Sequence, residues 1–205
     1  MSGAFPISNS KFQTLGINSV QNTLTSRSIN GRKLSRTIDN QRFGFTAQIV
    51  IGKKDSIYGE LMGFIIKQRS QKENFTIVPP ESSTKGTETG TVLVNGAQSA
   101  GDTTITMDGF AGDGANRFKT GDFIKFASHT KVYMVIENVT SSSNASTVTI
   151  EPPLIESIAD NSVVTYNNVP FTVFLTNDVQ EFGTVGADID GNILYQFELD
   201  VEEFL

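Results

Sequence analysis

The chain has no cysteine, no tryptophan and a single histidine, His129. Without thiols, disulfide scaffolds, thiolate metal sites and cysteine nucleophiles are excluded. The lack also accords with assembly in a reducing cytoplasm. A lone histidine has no second imidazole with which to share a metal, so neither a metal nor a cofactor is expected here. Long apolar runs are scarce too. The longest, LMGFII (61–66), falls well short of the roughly 18 residues of a membrane span, so no membrane partner is expected. MSGAFPISNSKF at the start has no basic stretch leading into an apolar one, so no secretory signal is expected either.

What is present points to strands. Thr, Val, Ile and Phe dominate the ordered-looking stretches, with 15 Phe and 18 Gly among 205 residues. The expected class is mainly β with a minor α part, built as a barrel or sandwich. At this length roughly 70% of the unfolded surface can be buried, enough for a real core.

Residues 1–25 are polar and read as an extended arm with at most one short strand. SRSINGRKLSRT (26–37) carries Asn30-Gly31, a hairpin signal whose two central residues would both take φ > 0. RFGFTAQIVIG (42–52) alternates Phe43, Phe45, Ala47, Ile49 and Ile51 on one face. In 55–70 the period changes to helical, with Ile57, Leu61 and Ile65 beside Tyr58, Met62 and Ile66. Asp55 or Ser56 is the expected cap, and small Gly59 and Gly63 would let the helix lie close to a sheet. A short strand at 73–80 ends on Pro79-Pro80, and ESSTKGTETG (81–90) has a linker's composition. From 91 to 168, strands of 5–8 residues alternate with turn residues, the mark of a small antiparallel barrel. FTVFLTND (171–178) is again a strand. The stretch 186–204 reads as a turn at Asp190-Gly191 and a terminal strand, with Tyr195, Phe197, Leu199 and Val201 sharing one face. The expected map is an insertion: one domain from 1–84 and 171–205, and a second, 91–168, inserted into it.

No enzyme class emerges. His129 lies in ASHTK, with Asp122 and Glu137 on the flanking strands and no nucleophile elbow nearby, so it reads as a solvated loop histidine. AGDGANRFKTGD (111–122) lacks the strand–GxGxxG–helix context of a dinucleotide loop. ADIDGN (187–192) mimics part of a calcium loop but lacks its closing Glu, and a turn explains it better. The acidic ELDVEEF reads as strand edge and surface.

Charge is uneven. Residues 1–80 hold 11 Lys/Arg against 4 Asp/Glu, and residues 81–205 hold 5 against 18, within a net charge of −6. Such asymmetry fits a basic face for nucleic acid, complementary faces between subunits, or a solvated surface without a partner. Arg27, Arg32, Lys33, Arg36 and Arg42 are the candidate partner surface. They fall on a predicted hairpin, without the interleaved aromatics that stack on bases. Phosphate contact and pairing with an acidic protein surface both stay open.

FKTGDFIKFASHTKVYMVIENVTSSSNASTVTIEPPL (118–154) carries a resemblance. With Lys119-Thr120-Gly121-Asp122 in a KAGD position and Lys131-Val132-Tyr133 in a KVY position, it resembles the inserted OB-like β-barrel of tailed-bacteriophage distal tail proteins. The order of the remaining segments, from basic hairpin through helix to terminal strand, is similar as well. The resemblance implies a non-enzymatic structural component of the virion tail or baseplate. Its expected form is a homo-hexamer, a ring joining the tail tube to the baseplate hub or tail tip. DNA would only pass through the lumen, and assembly would take place in the host cytoplasm. OB-like barrels also suggest an alternative, a carbohydrate-binding module for the host surface, acting through exposed aromatics. Phe123 and Phe126 fall three apart and point to opposite faces of a regular strand, which leaves one open to exposure. The barrel's four basic residues against eight acids in 91–165 weigh against nucleic acid.

Overall fold

The computed structural model describes residues 3–38 and 40–205; the start of the expected arm, residues 1 and 2, lies outside them, as does residue 39. The chain is mainly β. The first sheet contains β1 (Phe12–Val20), β4 (Arg42–Lys53), β14 (Ile193–Glu203), β12 (Phe171–Leu175) and β5 (Phe75–Ile77) in that order, with β13 (Phe182–Ala187) also paired to β14; all pairs are antiparallel. Residues 3–25 are therefore tied into the fold rather than forming an extended arm with one short strand. β1 is a nine-residue edge strand on β4, and Ala4 forms a parallel bridge to Thr76 on β5. Its polar sequence hides this because an edge strand half covered on one face needs few apolar residues: only Phe12, Leu15 and Val20 are partly buried.

Phe43, Phe45, Ala47 and Ile49 line the core as their alternation predicts, facing Phe197, Leu199 and Val201 of β14. Ile51 departs from the pattern and is 45% exposed. Opposite β14, the register slips between Phe197↔Ile49 and Tyr195↔Gly52, so β4 carries one extra residue there. A bulge of this kind flips every following side chain to the other face.

The helix is shorter than its periodicity implies. A π-type turn, Lys54–Tyr58, leads into α1 (Gly59–Lys67). Neither Asp55 nor Ser56 caps it; the Ser56 hydroxyl donates to the Lys53 carbonyl at 2.9 Å. Arg69 and Ser70 take φ of 54° and 61°, a left-handed pair that cannot continue a helix. Tyr58, Leu61 and Ile65 are buried, whereas Ile66 is exposed. The small-residue argument fails at Gly63, whose missing side chain faces open space. At Gly59 a Cβ would sit 2.6 Å from the Lys54 carbonyl, so that glycine serves the π-type turn.

The second sheet lies wholly between β5 and β12 in the chain. It comprises β6 (Leu93–Val94), β7 (Thr104–Asp108), β8 (Phe123–Phe126), β9 (Val132–Val135), β10 (Ala145–Glu151) and β11 (Val164–Thr165), in the spatial order β11-β8-β9-β10-β7-β6. Hydrogen bonds from Val94 N to Ser162 O and from Val164 N to Val92 O, each 3.0 Å, bring the two edges together into a nearly closed antiparallel barrel. Val94, Ile105, Phe118, Phe126, Tyr133 and Val148 are among its core residues.

The segment 81–90, a linker by composition, is packed against this barrel rather than free. Thr84 N donates to Tyr166 O (2.8 Å) and Thr87 N to Asn116 O (2.9 Å), and Ser82 and Glu88 are buried. Its Ser, Thr and Gly residues satisfy backbone groups of the barrel instead of spacing two bodies.

Two further strands belong to neither core. β2 (Thr23–Arg27) and β3 (Lys33–Thr37) form a two-stranded hairpin of their own, exposed throughout. Its turn is not the expected one with two positive φ values. Only Gly31 is left-handed, at +81°, while Gly31 N donates to Ser28 O and Ser28 N to Arg32 O. This is a three-residue loop with glycine at its αL position.

Candidate partner surface and the joint between the sheets

The structure brings four of the five candidate basic residues together on the β2–β3 hairpin and sets the fifth apart. Cross-strand partners share a face, so Leu24↔Arg36 and Ser26↔Leu34 place Leu24, Leu34 and Arg36 together. Arg27↔Lys33 lies on the opposite face, and Arg32 ends the turn. Among the described residues no ion pair forms at Arg27, Arg32, Lys33 or Arg36. Arg42 instead begins β4 and bonds Glu202 on β14 at 2.8 Å.

Two features set this hairpin apart. Leu24, Ile29, Leu34 and Ile38 are all exposed, and an isolated two-stranded hairpin is marginal in water. Arg27 and Lys33 also oppose each other directly, a like-charge pairing that is destabilising.

The outward face of the first sheet has the opposite character. Glu198, Asp200 and Glu202 alternate along β14, paired across to Gln48, Thr46 and Gly44 of β4. Thr14, Gly16 and Asn18 of β1 continue this face. A groove of about 900 Å³ opens at the foot of the hairpin, lined by Ile38, Arg42, Pro153, Phe174, Glu203 and Phe204, among others. Among the described residues that line it, the one side-chain carboxylate, Glu203, is already engaged.

His129 is not solvated. It is 5% exposed, and its Nδ1 lies 2.8 Å from the Tyr133 hydroxyl, which also accepts from Ile155 N at 3.3 Å. Burial holds its pKa below the usual 6.5, so it sits neutral in the barrel, and burial likewise pushes the Tyr133 phenol well up. Asp122, a possible partner for His129 from sequence, is engaged elsewhere. It accepts from the Thr84 hydroxyl, from Lys85 N at 2.9 Å and from Lys119 N at 2.8 Å, pinning the 81–90 segment to the barrel. ADIDGN is a turn: the Asp188 carboxylate accepts from Asp190 N and Asn192 N and pairs with Lys53, and these donors depress its pKa. Among the described residues, no group of three His, Asp or Glu side chains could hold a metal.

Sequence reading missed the joint between the two sheets. Phe123, Lys125, Val132 and Met134 alternate onto the outer face of the β8–β9 hairpin. The first sheet covers them: Phe123 meets Phe43 and Phe171 edge-on, at 5.3 and 5.2 Å between ring centres. Phe123 and Phe126 do point to opposite faces, yet both are buried, as are Phe110, Phe118, Tyr133 and Tyr166. That removes the exposed aromatic platform a sugar would stack on. Glu203, expected at the surface, is fully buried at the end of β14 and forms an ion pair with the fully buried Lys131. It also accepts from Val132 N at 2.7 Å and Phe43 N at 3.2 Å, and the Lys131 ammonium lies 4.5 Å from the centre of the Phe43 ring. Burial pulls the Lys131 pKa down and Glu203 opposes that shift only in part. The only sequence signal available was that Glu203 shares the Phe197–Leu199–Val201 face.

Both stretches that carried the family resemblance lie at this junction. Lys119–Asp122 forms the turn that receives the entering chain, and Lys131–Tyr133 spans the ion pair, the joint core and the barrel core.

Fold and site thus define a mainly β protein with two cores, a buried ionic joint and an exposed basic hairpin whose cations form no ion pair among the described residues. Residues 81–169 match the family model described as "Distal tail protein pb9, B domain"; residues 1–80 and 170–205 lie outside that match. No curated protein matches the chain. The match supports a phage distal tail protein, with a structural role and a place in the virion tail.

Proposed function

We propose that the chain is the ring-forming adaptor of a phage tail, six copies of which join the tail tube to the baseplate hub or tail tip. The observation that carries this reading is the coincidence, in one chain, of a distal-tail B-domain match and a hairpin that lacks its partner. The domain that holds the first sheet, taken as 1–84 and 171–205, makes the ring. The OB-like barrel, taken as 91–168, projects from it. Arg27, Arg32, Lys33 and Arg36 meet an acidic face on the next subunit or on the tube, and opposite charge sets register and on-rate there. The Glu198–Asp200–Glu202 face turns toward the lumen, where a DNA polyanion passes without sticking. The protein is not an enzyme and assembles in the host cytoplasm.

The test is native mass spectrometry across a concentration series, with negative-stain images of the same samples. A six-fold open ring is expected, and Arg32→Glu with Arg36→Glu should abolish it without unfolding the subunit. Normal rings from that double variant would remove the hairpin from the interface. A wild-type protein that stays monomeric even with purified tail tubes would overturn the adaptor reading.

A further inference from the structure

The barrel joins the first sheet by two covalent connections that leave it side by side. One leaves β5 and the other enters β12, and these strands are neighbours, with Phe171 opposite Ile77. Two adjacent links fix where the barrel sits but leave rotation about the line through them. The apolar contacts of the joint, Phe43, Phe123, Phe171, Val132 and Met134, hold the two bodies together. Hydrophobic burial is non-directional, so it favours contact more than one angle of contact.

The directional element is Glu203. It sits one strand over, on β14 opposite Val173 of β12. One oxygen accepts from Val132 N of the barrel, and the other accepts from Lys131 Nζ of the barrel and Phe43 N of the first sheet. One carboxylate thus serves donors from both bodies. In a rotated pose it would keep Phe43 N and lose both barrel donors, Val132 N and Lys131 Nζ, and Lys131 would lose the carboxylate that compensates its charge. We propose that the Lys131–Glu203 pair is an orientation lock: it selects one docking angle of the barrel on the first sheet, while the apolar contacts supply most of the adhesion. The inference concerns the subunit alone and stands whether or not the ring reading is right.

The cysteine-free chain allows the test to be made with two spin labels, at Thr14→Cys on β1 and Thr147→Cys on β10, both exposed. Pulsed electron–electron resonance on the full chain should give one narrow distance distribution. With Lys131→Met and Glu203→Leu together, no charge is left buried, but Val132 N and Phe43 N lose their acceptor, so the midpoint of thermal unfolding should fall, while the distance distribution of the folded protein broadens or splits. Glu203→Gln provides a second variant should the pair of apolar replacements fold poorly. It keeps an acceptor at the site, and the distribution should broaden while far-UV circular dichroism stays unchanged. A distribution as narrow as wild type in folded samples of either variant would overturn the lock. Narrowness in both would assign orientation to the aromatic contacts.

Discussion

Two hairpins in this chain use the same grammar and meet opposite fates. TLTSRSINGRKLSRT (β2 and β3) and FIKFASHTKVYMV (β8 and β9) are each strand, short turn and strand, and each carries basic residues. The first buries neither face and its cations find no partner among the described residues; the second buries both, one in the barrel and one against the first sheet. The difference lies in apolar content per face. β8–β9 has Ile124, Phe126, Tyr133 and Val135 on one side and Phe123, Val132 and Met134 on the other. β2–β3 has only Leu24 and Leu34 on one face and none on the other. An isolated hairpin with one weak apolar face is marginal in water, and the acidic surface proposed above is what would complete it.

The sharpest way to break the comparison is to make equivalent truncations in both hairpins. Phe123→Ala should cost about 3–5 kcal/mol in urea unfolding, since it empties the joint next to Phe43 and Phe171. Leu34→Ala should fall within about 0.5 kcal/mol, because an exposed side chain has little to lose. Equal effects would mean that β2–β3 is packed in the isolated subunit.

Asp122→Ala comes next. It removes an acceptor shared by three donors, and hydrogen bonds to charged groups are worth about 1.5–3 kcal/mol each. The expected loss is of that order for the set. Hydrogen exchange should show Lys85 and Lys119 amides losing protection before those of β10.

The same elements show how far sequence could reach. Alternation placed β4, β14 and the barrel strands well, because it reports a core face directly. It failed where a neighbour overrides local character. β1 looks like an arm until β4 is seen to cover one face. Glu203 looks like surface until Lys131 meets it, and His129 looks solvated until Tyr133 closes over it. A buried polar residue is defined by its partner, and the partners here stand 72 residues apart for Glu203 and Lys131. The basic hairpin was legible as a hairpin. Its separation from Arg42 was not, because the ion pair with Glu202 depends on β4 and β14 being neighbours.

His129 gives a smaller, pH-dependent contrast between the hairpins. Its pKa is held below 6.5 in the fold, so the unfolded chain binds more protons in mildly acid solution. Stability attributable to this residue is complete above about pH 6.5 and declines as the pH falls below that value, by no more than about 1.4 kcal/mol per pH unit. Urea unfolding at pH 7.5 and 5.5 should show the decline in wild type and a shallower one in His129→Gln. A steeper slope in the variant would mean that another group dominates.

The smallest effect on the subunit falls in β2–β3 and tests the central contrast most directly. Lys33→Glu converts the opposed Arg27–Lys33 pair into an attractive one. It should steady the isolated hairpin by about 0.2–1 kcal/mol, seen as slower exchange of the Ser28 amide. If β2–β3 is completed by an acidic partner, the same change should weaken assembly, since it inverts one of the charges the partner meets and leaves like charges facing each other across the interface. Subunit and assembly would then respond in opposite directions to one substitution. A steadier hairpin with undiminished assembly would show that its charges serve solubility and that the partner reads Leu24 and Leu34 instead. Weakened exchange protection in the isolated subunit would mean that the two strands are not held in this register at all.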